Sequence, residues 1–160
     1  MSDIVYLSLG SNVGDRKNYI ESAIDRLNSI EGIEVINRSN IYETKPVGNI
    51  EQDDFLNIII SAEVIISPAE LLVKIHEIED EFGRIRTVRW GPRTMDIDIV
   101  LWGKKEIIHD DLIIPHKEMF NREFVLVPLK EIYDRRNTIE IDFKEKLKKL
   151  DLKKVRRYNG

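Results

Sequence analysis

Strict alternation of apolar and polar residues predicts four strands. The clearest is Phe55–Ile66, in which every second residue from Leu56 onward is apolar. Since successive side chains on a strand point to opposite faces, one face of this segment is suited to a buried core. Phe55 and Asn57 share the other face. The remaining predicted strands are, in chain order, Ile4–Leu9, Ile33–Tyr42 and Asp96–Leu101.

Apolar residues at helical spacing predict two helices between these strands. The first begins at Arg16, with Asp15 as its N-cap, and stops at Gly32. The second begins after Ser67, which precedes a proline and stands three residues before a glutamate, and it ends at Gly83. Their apolar faces consist of Ile20, Ala23, Ile24, Leu27 and Ile30 in the first, and Leu71, Leu72, Ile75, Ile78 and Phe82 in the second.

The order of these elements is βαββαβ, which predicts an α+β fold with a ferredoxin-like antiparallel sheet. Both helices are expected on one face, which leaves the other face open for a site. A C-terminal extension follows, with an extended excursion or a hairpin over 106–114 and a helix over Phe124–Ile132 despite Pro128. Lys144–Tyr158 is predicted to be a basic helix or a partly ordered tail. At 160 residues, the chain 1–160 is expected to form a single domain.

Composition narrows the class of protein. The net charge of −4 does not favour general nucleic-acid binding, because the basic residues are clustered locally. The chain has no cysteine, its first residues do not form a signal peptide, and no apolar run approaches the roughly 20 residues of a membrane span. We therefore expect a cytoplasmic protein, monomeric, with no nucleic-acid or membrane partner.

Two carboxylates lie at the start of the fourth strand. Asp96 and Asp98 point to the same face, about 6–7 Å apart along the strand, while Ile97, Ile99 and Leu101 are expected to point together into the core. Hard oxygen ligands so placed suit Mg²⁺, which completes its shell with water and substrate phosphate. A solvated strand end is the simpler interpretation of this pair taken alone.

A basic cluster precedes the carboxylates and strengthens the metal interpretation. It comprises Arg84, Arg86, Arg89 and Arg93, with no acidic residue between the first and the last. Enzymes that transfer phosphoryl groups typically place guanidinium groups that bind phosphate next to carboxylates that bind a metal ion. A second candidate, the glycine-rich turn Gly10–Gly14, lacks the Lys-Ser/Thr pair of a P-loop, so a simple strand-to-helix turn is favoured there.

The segment Arg89–Val100 resembles the signature of the 6-hydroxymethyl-7,8-dihydropterin pyrophosphokinase family. That signature has a basic residue, a small residue, Pro and Arg, then Asp-aliphatic-Asp and two further aliphatic residues, and every constrained position is met. Similarity extends to four other segments, which together cover most of the chain: Tyr6–Asp15, Tyr42–Asn57, Glu79–Arg86 and Pro115–Pro128.

The resemblance implies an enzyme of folate biosynthesis that transfers the pyrophosphoryl group of ATP to 6-hydroxymethyl-7,8-dihydropterin and releases AMP. It implies that Asp96 and Asp98 bind two Mg²⁺ ions bridging the triphosphate, and that Arg84 and Arg93 act with them in catalysis. ATP would be the co-substrate, and other folate enzymes could associate with the chain. The residues implied to contact ATP are Glu79, Arg86, Trp90, Arg93, Ile99, His116 and Arg122.

A pterin site is implied by the same resemblance. Phe55 and Phe124 would stack on the two faces of the ring, while Asn57 and Thr44 would hydrogen-bond its amide and amino edge. The full set implied to contact the pterin is Thr44, Pro46, Val47, Phe55, Asn57, Trp90, Asp96 and Phe124. Some positions depart from the better-known bacterial members: Phe55 stands where a Tyr is frequent, and Lys117 replaces an aromatic residue after the His. Asp111 and Ile113 occupy positions where some members use an Arg and a Thr toward ATP.

Three other functions fit parts of the pattern. A ferredoxin-like sheet with aromatics and arginines could bind RNA, although paired carboxylates repel phosphate unless a metal is present. A metal-dependent nucleotidyltransferase would release free pyrophosphate rather than AMP. A regulatory domain would bind a small molecule without turning it over.

Overall fold

The computed structural model describes residues 2–46, 52–83 and 94–160, in which a six-stranded sheet carries helices on both faces. The strands are β1 (Asp3–Ser11), β2 (Ile33–Arg38), β3 (Tyr42–Thr44), β4 (Phe55–Val64), β5 (Asp96–Trp102), β6 (Ile107–His109), β7 (Leu112–Ile114) and β8 (Val155–Arg157). The helices are α1 (Arg16–Asn28), α2 (Pro68–Glu81), α3 (Glu123–Ile132) and α4 (Phe143–Lys148), with 3-10 turns at Met119–Asn121 and Leu152–Lys154.

The predicted βαββαβ order and the ferredoxin-like α+β class are confirmed. The main sheet has the order β5-β1-β4-β3-β8, and β2 also lies beside β4. All pairings among the first five strands are antiparallel. The single segment expected at Ile33–Tyr42 is in fact two strands that pair with successive parts of β4. Ser39 separates them: its backbone N–H donates to the carbonyl of Ile59, and its hydroxyl accepts from the N–H of Ile59.

The two predicted helices begin where their capping residues indicate. The side chain of Asp15 accepts from the N–H of Asn18, and that of Ser67 accepts from the N–H of Glu70, so each satisfies a donor in the first turn. Their apolar stripes pack on β1, β4 and β5. This first core includes Val5, Leu7, Leu9, Ile24, Leu27, Ile58, Ile60, Leu71, Ile75 and Ile97.

The other face of the sheet is less open than the sequence predicts. A second hydrophobic cluster fills its centre, where α3 and α4 pack against residues of β1, β4 and β5. Its buried members are Tyr6, Ile59, Val100, Leu101, Met119, Val125, Leu126, Leu129, Ile141 and Phe143. The C-terminal extension therefore covers the middle of this face, and a site is left only toward one end.

A β-bulge overturns the expected orientation of Leu101. Leu7 pairs with Ile99 but Tyr6 pairs with Leu101, so β5 contains one extra residue at Val100. The alternation shifts there, and Leu101 lies in the second core beside Val100. Trp102 takes the place in the first core that strict alternation assigns to Leu101.

The C-terminal segment also differs from the prediction. Only Phe143–Lys148 is α-helical, and Val155–Arg157 forms β8, which pairs antiparallel with β3. A segment of three residues is too short for its hydrophobic pattern to predict a strand. β8 forms only because the edge of β3 offers unpaired backbone groups to it. The hairpin over 106–114 and the α3 helix containing Pro128 are confirmed. Among the described residues, no helix has the length and apolar character needed to cross a membrane.

Candidate active site

Asp96 and Asp98 lie on the second face of the sheet, at the end that α3 and α4 leave accessible. Asp96 pairs with Gly10 of β1 and Asp98 with Ser8, so the two carboxylates occupy alternate positions of β5. Both are half-buried, and the side chain of Asp98 is 36% exposed. The sequence prediction that the two share one face is confirmed, because they lie ahead of the bulge.

One row across the sheet joins the predicted metal and pterin residues. Gly10 pairs with Asp96 on one side and with Asn57 on the other, so both side chains point to the same face. Their Cα atoms are separated by two strand spacings, or roughly 10 Å. A Cβ at Gly10 would lie 2.9 Å from Oδ1 of Asn57 and 3.7 Å from Cδ1 of Phe55. Gly10 therefore forms the floor between the carboxylates and the amide-aromatic pair.

This position of Gly10 settles the interpretation of the glycine-rich segment. β1 continues through Ser11, and both Gly10 and Ser11 are paired on β4, so neither belongs to a free loop. The P-loop interpretation does not hold for them, and the turn begins only after Asn12. The close approach of Asn57 is the reason that a residue without a side chain suits position 10.

Asn57 is held in one orientation by Thr44. The Nδ2 amide of Asn57 donates to Oγ1 of Thr44 at 2.9 Å, and both residues are buried. Because that bond assigns the amide nitrogen to the β3 side, the Oδ1 oxygen lies over Gly10. Phe55 pairs with Thr44 on the adjacent strands and is half-buried. The structure thus brings together three of the residues expected to contact a pterin.

Glu79 holds the backbone between the two carboxylates. It is only 1% exposed, near the end of α2, and its Oε2 accepts a hydrogen bond of 2.9 Å from the backbone N–H of Ile97. Ile97 stands between Asp96 and Asp98, so this bond fixes the start of β5. Contact between Glu79 and a nucleotide stays a prediction, and the structure adds a positioning role.

His116 and Arg122 approach Asp98 from the C-terminal extension. The backbone N–H of His116 donates to the carbonyl of Val100, which fixes the residue against β5. Nδ1 of His116 accepts from the N–H of Glu118 at 3.1 Å, so the ring proton belongs on Nε2, 4.0 Å from Oδ1 of Asp98. Nη1 of Arg122 lies 3.6 Å from Oδ2 of Asp98.

The surroundings of His116 favour its uncharged form. Burial lowers the pKa of His116 below its usual value, and the positive charge of Arg122 lowers it further, while Glu118 and Asp96 oppose the shift. A neutral imidazole with its proton on Nε2 can donate a hydrogen bond to an anionic oxygen without adding a full charge. The positive charge beside Asp98 comes instead from the guanidinium of Arg122. This guanidinium also lies over the ring of Phe124, with its central carbon 5.6 Å from the ring centre.

Several of the predicted ATP and pterin contacts line one of two cavities. A cavity of about 290 Å³ is lined by Glu79, Asp96, Asp98, Ile99, Asp111, Ile113 and His116, among others. A larger one of about 850 Å³ is lined by Thr44, Pro46, Arg122, Phe124 and residues of the C-terminal segment. Lys117 lines both. Arg122 lines the larger cavity, and its Nη1 lies 3.6 Å from Oδ2 of Asp98, which lines the smaller one.

The residues present fit a magnesium ion. Asp96 and Asp98 offer two hard oxygen donors on one face, at a cavity that has room for water and phosphate. Among the described residues, no group of three or more His, Asp or Glu side chains is arranged to hold a metal ion. A site with only two protein ligands suits Mg²⁺, which retains waters and takes substrate oxygens, better than Zn²⁺.

Several predicted site residues lie outside the described residues. They are Val47, Arg84, Arg86, Trp90 and Arg93. Their roles remain those implied by the sequence resemblance.

Sequence reasoning missed two residues that the structure places beside the site. Gly10 is the floor described above, and a glycine directly after the alternating strand Ile4–Leu9 was the available signal. Asn12 is 1% exposed, and its Nδ2 donates to Oε1 of Gln52 at 2.8 Å and to the carbonyl of Asp53 at 3.0 Å. It ties the end of β1 to the segment that leads into Phe55. No sequence signal distinguished this asparagine from an ordinary turn residue.

The fold and the site define a class of α+β protein in which a ferredoxin-like sheet presents paired carboxylates at a cavity that Glu79 and His116 also line. Residues 6–134 match the family 7,8-dihydro-6-hydroxymethylpterin-pyrophosphokinase (HPPK). The chain belongs to this family of pyrophosphokinases.

Individual relatives agree with the family match. The chain is 46% identical over 132 residues to 2-amino-4-hydroxy-6-hydroxymethyldihydropteridine pyrophosphokinase of Bacillus subtilis, covering 82% of this chain and 79% of the relative. It is 49% identical over 127 residues to the Bifunctional protein FolKE of Lactococcus lactis subsp. cremoris, covering 79% of this chain. It spans only 36% of that longer protein, so it corresponds to one part of it.

A solved structure shares the fold at low sequence identity. Wild-type HPPK-DHPS of Plasmodium falciparum, determined with pterin and p-hydroxybenzoate, superposes with a TM-score of 0.70 at 16% identity. The match covers 98% of this chain and 46% of that one. RNA binding across this sheet would need an accessible face, and the second core under α3 covers the centre of the second face.

Proposed function

We propose that this chain transfers the pyrophosphoryl group of ATP to the hydroxymethyl oxygen of 6-hydroxymethyl-7,8-dihydropterin, giving AMP and the pterin diphosphate for folate synthesis. The observation that carries this proposal is the row Asp96–Gly10–Asn57. In this row a carboxylate of β5 and an amide of β4 share one face with β1 between them, where a metal-bound polyphosphate and a heterocycle would lie side by side. Family membership and the names of the relatives support the same reaction.

The pterin would lie over Gly10. The Oδ1 of Asn57 is available there to accept from an amino or ring N–H group, and Thr44 keeps the amide from rotating. Phe55 and Phe124 would stack on the ring from β4 and α3. Buried polar groups of this kind reject heterocycles that cannot pair with them, which is the usual source of such specificity.

ATP would occupy the smaller cavity, with its phosphates toward Asp96 and Asp98. Two Mg²⁺ ions bound by these carboxylates would neutralise the phosphate charge and hold the in-line geometry. His116 would donate from Nε2 to a phosphate oxygen, and Arg122 would exchange its contact with Asp98 for a phosphate. Glu79 would maintain the position of β5. By resemblance, Arg84, Arg86 and Arg93 would bind the phosphates, with Trp90 packed beside them.

The reaction would be a displacement at the β-phosphorus. The hydroxymethyl oxygen would form a bond to this phosphorus while its proton is released to water, and the bond to the oxygen shared with the α-phosphate would break. AMP departs with that oxygen. Catalysis by position and charge neutralisation needs no covalent intermediate on the protein.

The decisive experiment incubates the chain with ATP, Mg²⁺ and 6-hydroxymethyl-7,8-dihydropterin and separates the products by ion-exchange chromatography. We expect AMP and a pterin carrying two phosphates in equal amounts, and none in a matched reaction with excess chelator. Free pyrophosphate would instead indicate a nucleotidyltransferase. ADP, or ligand binding with no product, would contradict the proposal.

A further inference from the structure

We propose that Arg156, in the C-terminal strand β8, is a positioning residue for the pterin site, working together with Arg16. This inference rests on the proposed function and goes beyond it, because Arg156 lies outside the segment 6–134 that matches the family. It assigns a role to a segment that the sequence predicted only to be a basic helix or a partly ordered tail.

Two arginines and two acidic residues form one network at the edge of the sheet. Nη2 of Arg156 lies 3.1 Å from Oε1 of Glu43 and 2.6 Å from Oδ2 of Asp54. Nη1 of Arg16 lies 2.8 Å from Oε2 of Glu43 and donates to the backbone carbonyl of Asp54, also at 2.8 Å. Each arginine therefore joins the same two chain segments.

The joined segments carry the predicted pterin contacts. Glu43 directly precedes Thr44 on β3, and Asp54 directly precedes Phe55 at the start of β4. Thr44 and Phe55 pair across these strands, and Thr44 accepts the hydrogen bond that orients Asn57. Holding Glu43 and Asp54 together thus holds the stacking ring and the orienting hydroxyl in register.

A side-chain network matters here because β3 is short. It has only three residues, Tyr42–Thr44, so few backbone hydrogen bonds fix its end. β8 adds the pairing of Val155 with Thr44, and the N–H of Tyr158 donates to the carbonyl of Ile41 at 2.8 Å. The ring of Tyr158 lies 5.8 Å from the guanidinium carbon of Arg16. β8 is therefore anchored to α1 as well as to β3.

The role should appear in substrate affinity rather than in folding. The side chain of Arg156 is 51% exposed, and exposed ion pairs contribute little to the stability of a fold. The network also lies away from Asp96 and Asp98, across β1 and β4 from them. Removing Arg156 should therefore weaken contact with the pterin and leave ATP binding and the chemical step unchanged.

The test compares four proteins: wild type, Arg156→Ala, Arg156→Lys and Arg157→Ala. Arg157 is the matched control, since it lies on the same strand but donates to Oδ1 of Asn40 instead of joining the network. Measurements are KM for each substrate, kcat, the melting temperature, and the dissociation constant for the pterin by calorimetry.

We expect Arg156→Ala to raise KM and Kd for the pterin by roughly three- to tenfold, with KM for ATP, kcat and melting temperature unchanged. Arg156→Lys should recover part of the loss, because an ammonium can still meet one of the carboxylates. Arg157→Ala should match the wild type. If Arg156→Ala instead destabilised the whole fold, KM would rise for both substrates and not for the pterin alone.

Either of two results would overturn the inference while the proposed function stands: an unchanged pterin KM and Kd in Arg156→Ala, or equal rises for both substrates with a lower melting temperature. A wild-type chain that binds the pterin without forming product refutes the proposed function, and the calorimetric comparison still decides the role of Arg156. A wild-type chain that does not bind the pterin refutes both.

Discussion

At the scale of single residues, Gly10 sets the shape of the site by leaving a space that Asn57 fills. A methyl group at position 10 would lie 2.9 Å from Oδ1 of Asn57, closer than ordinary contact, so the buried amide would have to shift. We expect Gly10→Ala to weaken pterin binding about tenfold, or about 1.4 kcal/mol, with ATP binding unchanged. Calorimetric titration with each substrate measures both effects.

A double-mutant cycle with Asn57→Ala isolates the cause. Once the amide is gone, the methyl group meets no obstacle, so Gly10→Ala should cost little further affinity in the Asn57→Ala background. Fully additive losses would show that the alanine acts elsewhere, because residues that do not interact contribute independently.

Asp98 is the residue at which charge, rather than shape, is expected to matter most. Asn has nearly the same shape as Asp but supplies no negative charge, so Asp98→Asn should bind Mg²⁺·ATP poorly and lose at least about 10²-fold in kcat. The pterin should still bind, because Asn57 and Thr44 are untouched. Product formation at saturating substrate, with circular dichroism as a check on folding, is the measurement. Near-normal turnover at millimolar Mg²⁺ would exclude Asp98 as a metal ligand.

At the scale of elements, the sequence predicts what is periodic or capped and misses what depends on partners. The starts of α1 and α2 follow from Asp15 and Ser67, whose side chains bond within the next turn. The bulge at Val100 and the strand β8 have no local signature, since each is decided by a neighbouring strand. The same holds for the site: the Asp pair is local, but the approach of Arg122 to Asp98 requires the folded extension.

One contact between elements predicts a pH dependence. The hydroxyl of Tyr42 on β3 donates a hydrogen bond to the Glu131 carboxylate on α3, which also accepts from the N–H of Asn40 at 2.8 Å. Burial raises the pKa of Tyr42 to about 12, and the bond to Glu131 adds to the shift. The unfolded chain has a tyrosine pKa of about 10, so the native state holds this proton more tightly.

The sign of the effect follows from proton binding. Between pH 10 and 12 the native state binds more protons at Tyr42 than the unfolded state, so the stabilisation from this contact falls as pH rises through that range. Below pH 10 it is fully present. We expect Tyr42→Phe to be less stable than the wild type at pH 8, and the difference to shrink above pH 10. Urea denaturation across this range, with Glu131→Gln as a second variant, measures the difference. A difference independent of pH would show that the native state does not hold the Tyr42 proton more tightly than the unfolded state.

At the scale of the whole molecule, the two hydrophobic clusters share the same strands. On β1, Val5 and Leu7 belong to the first cluster while Tyr6 belongs to the second, and β4 divides in the same way between Ile58 and Ile59. Neither cluster can lose its strands without exposing the other. The described parts of the chain should therefore unfold as one cooperative unit, including the α4 segment that lies beyond the family match.

Variants on the two faces test this cooperativity. Phe143 on α4 is 8% exposed and packs edge-to-face on Tyr133 with ring centres 4.9 Å apart, and Leu71 on α2 is fully buried in the other core. We expect Phe143→Ala and Leu71→Ala each to lower the free energy of unfolding by about 2–4 kcal/mol. Each should shift a single urea transition whose midpoints coincide by far-ultraviolet circular dichroism and by tryptophan fluorescence. Leu152→Ala, at a side chain 47% exposed, is the matched control and should change stability by less than about 0.5 kcal/mol. If Phe143→Ala instead produced two separated transitions, the C-terminal extension would be an independent unit, and the second face of the sheet would not be a shared core.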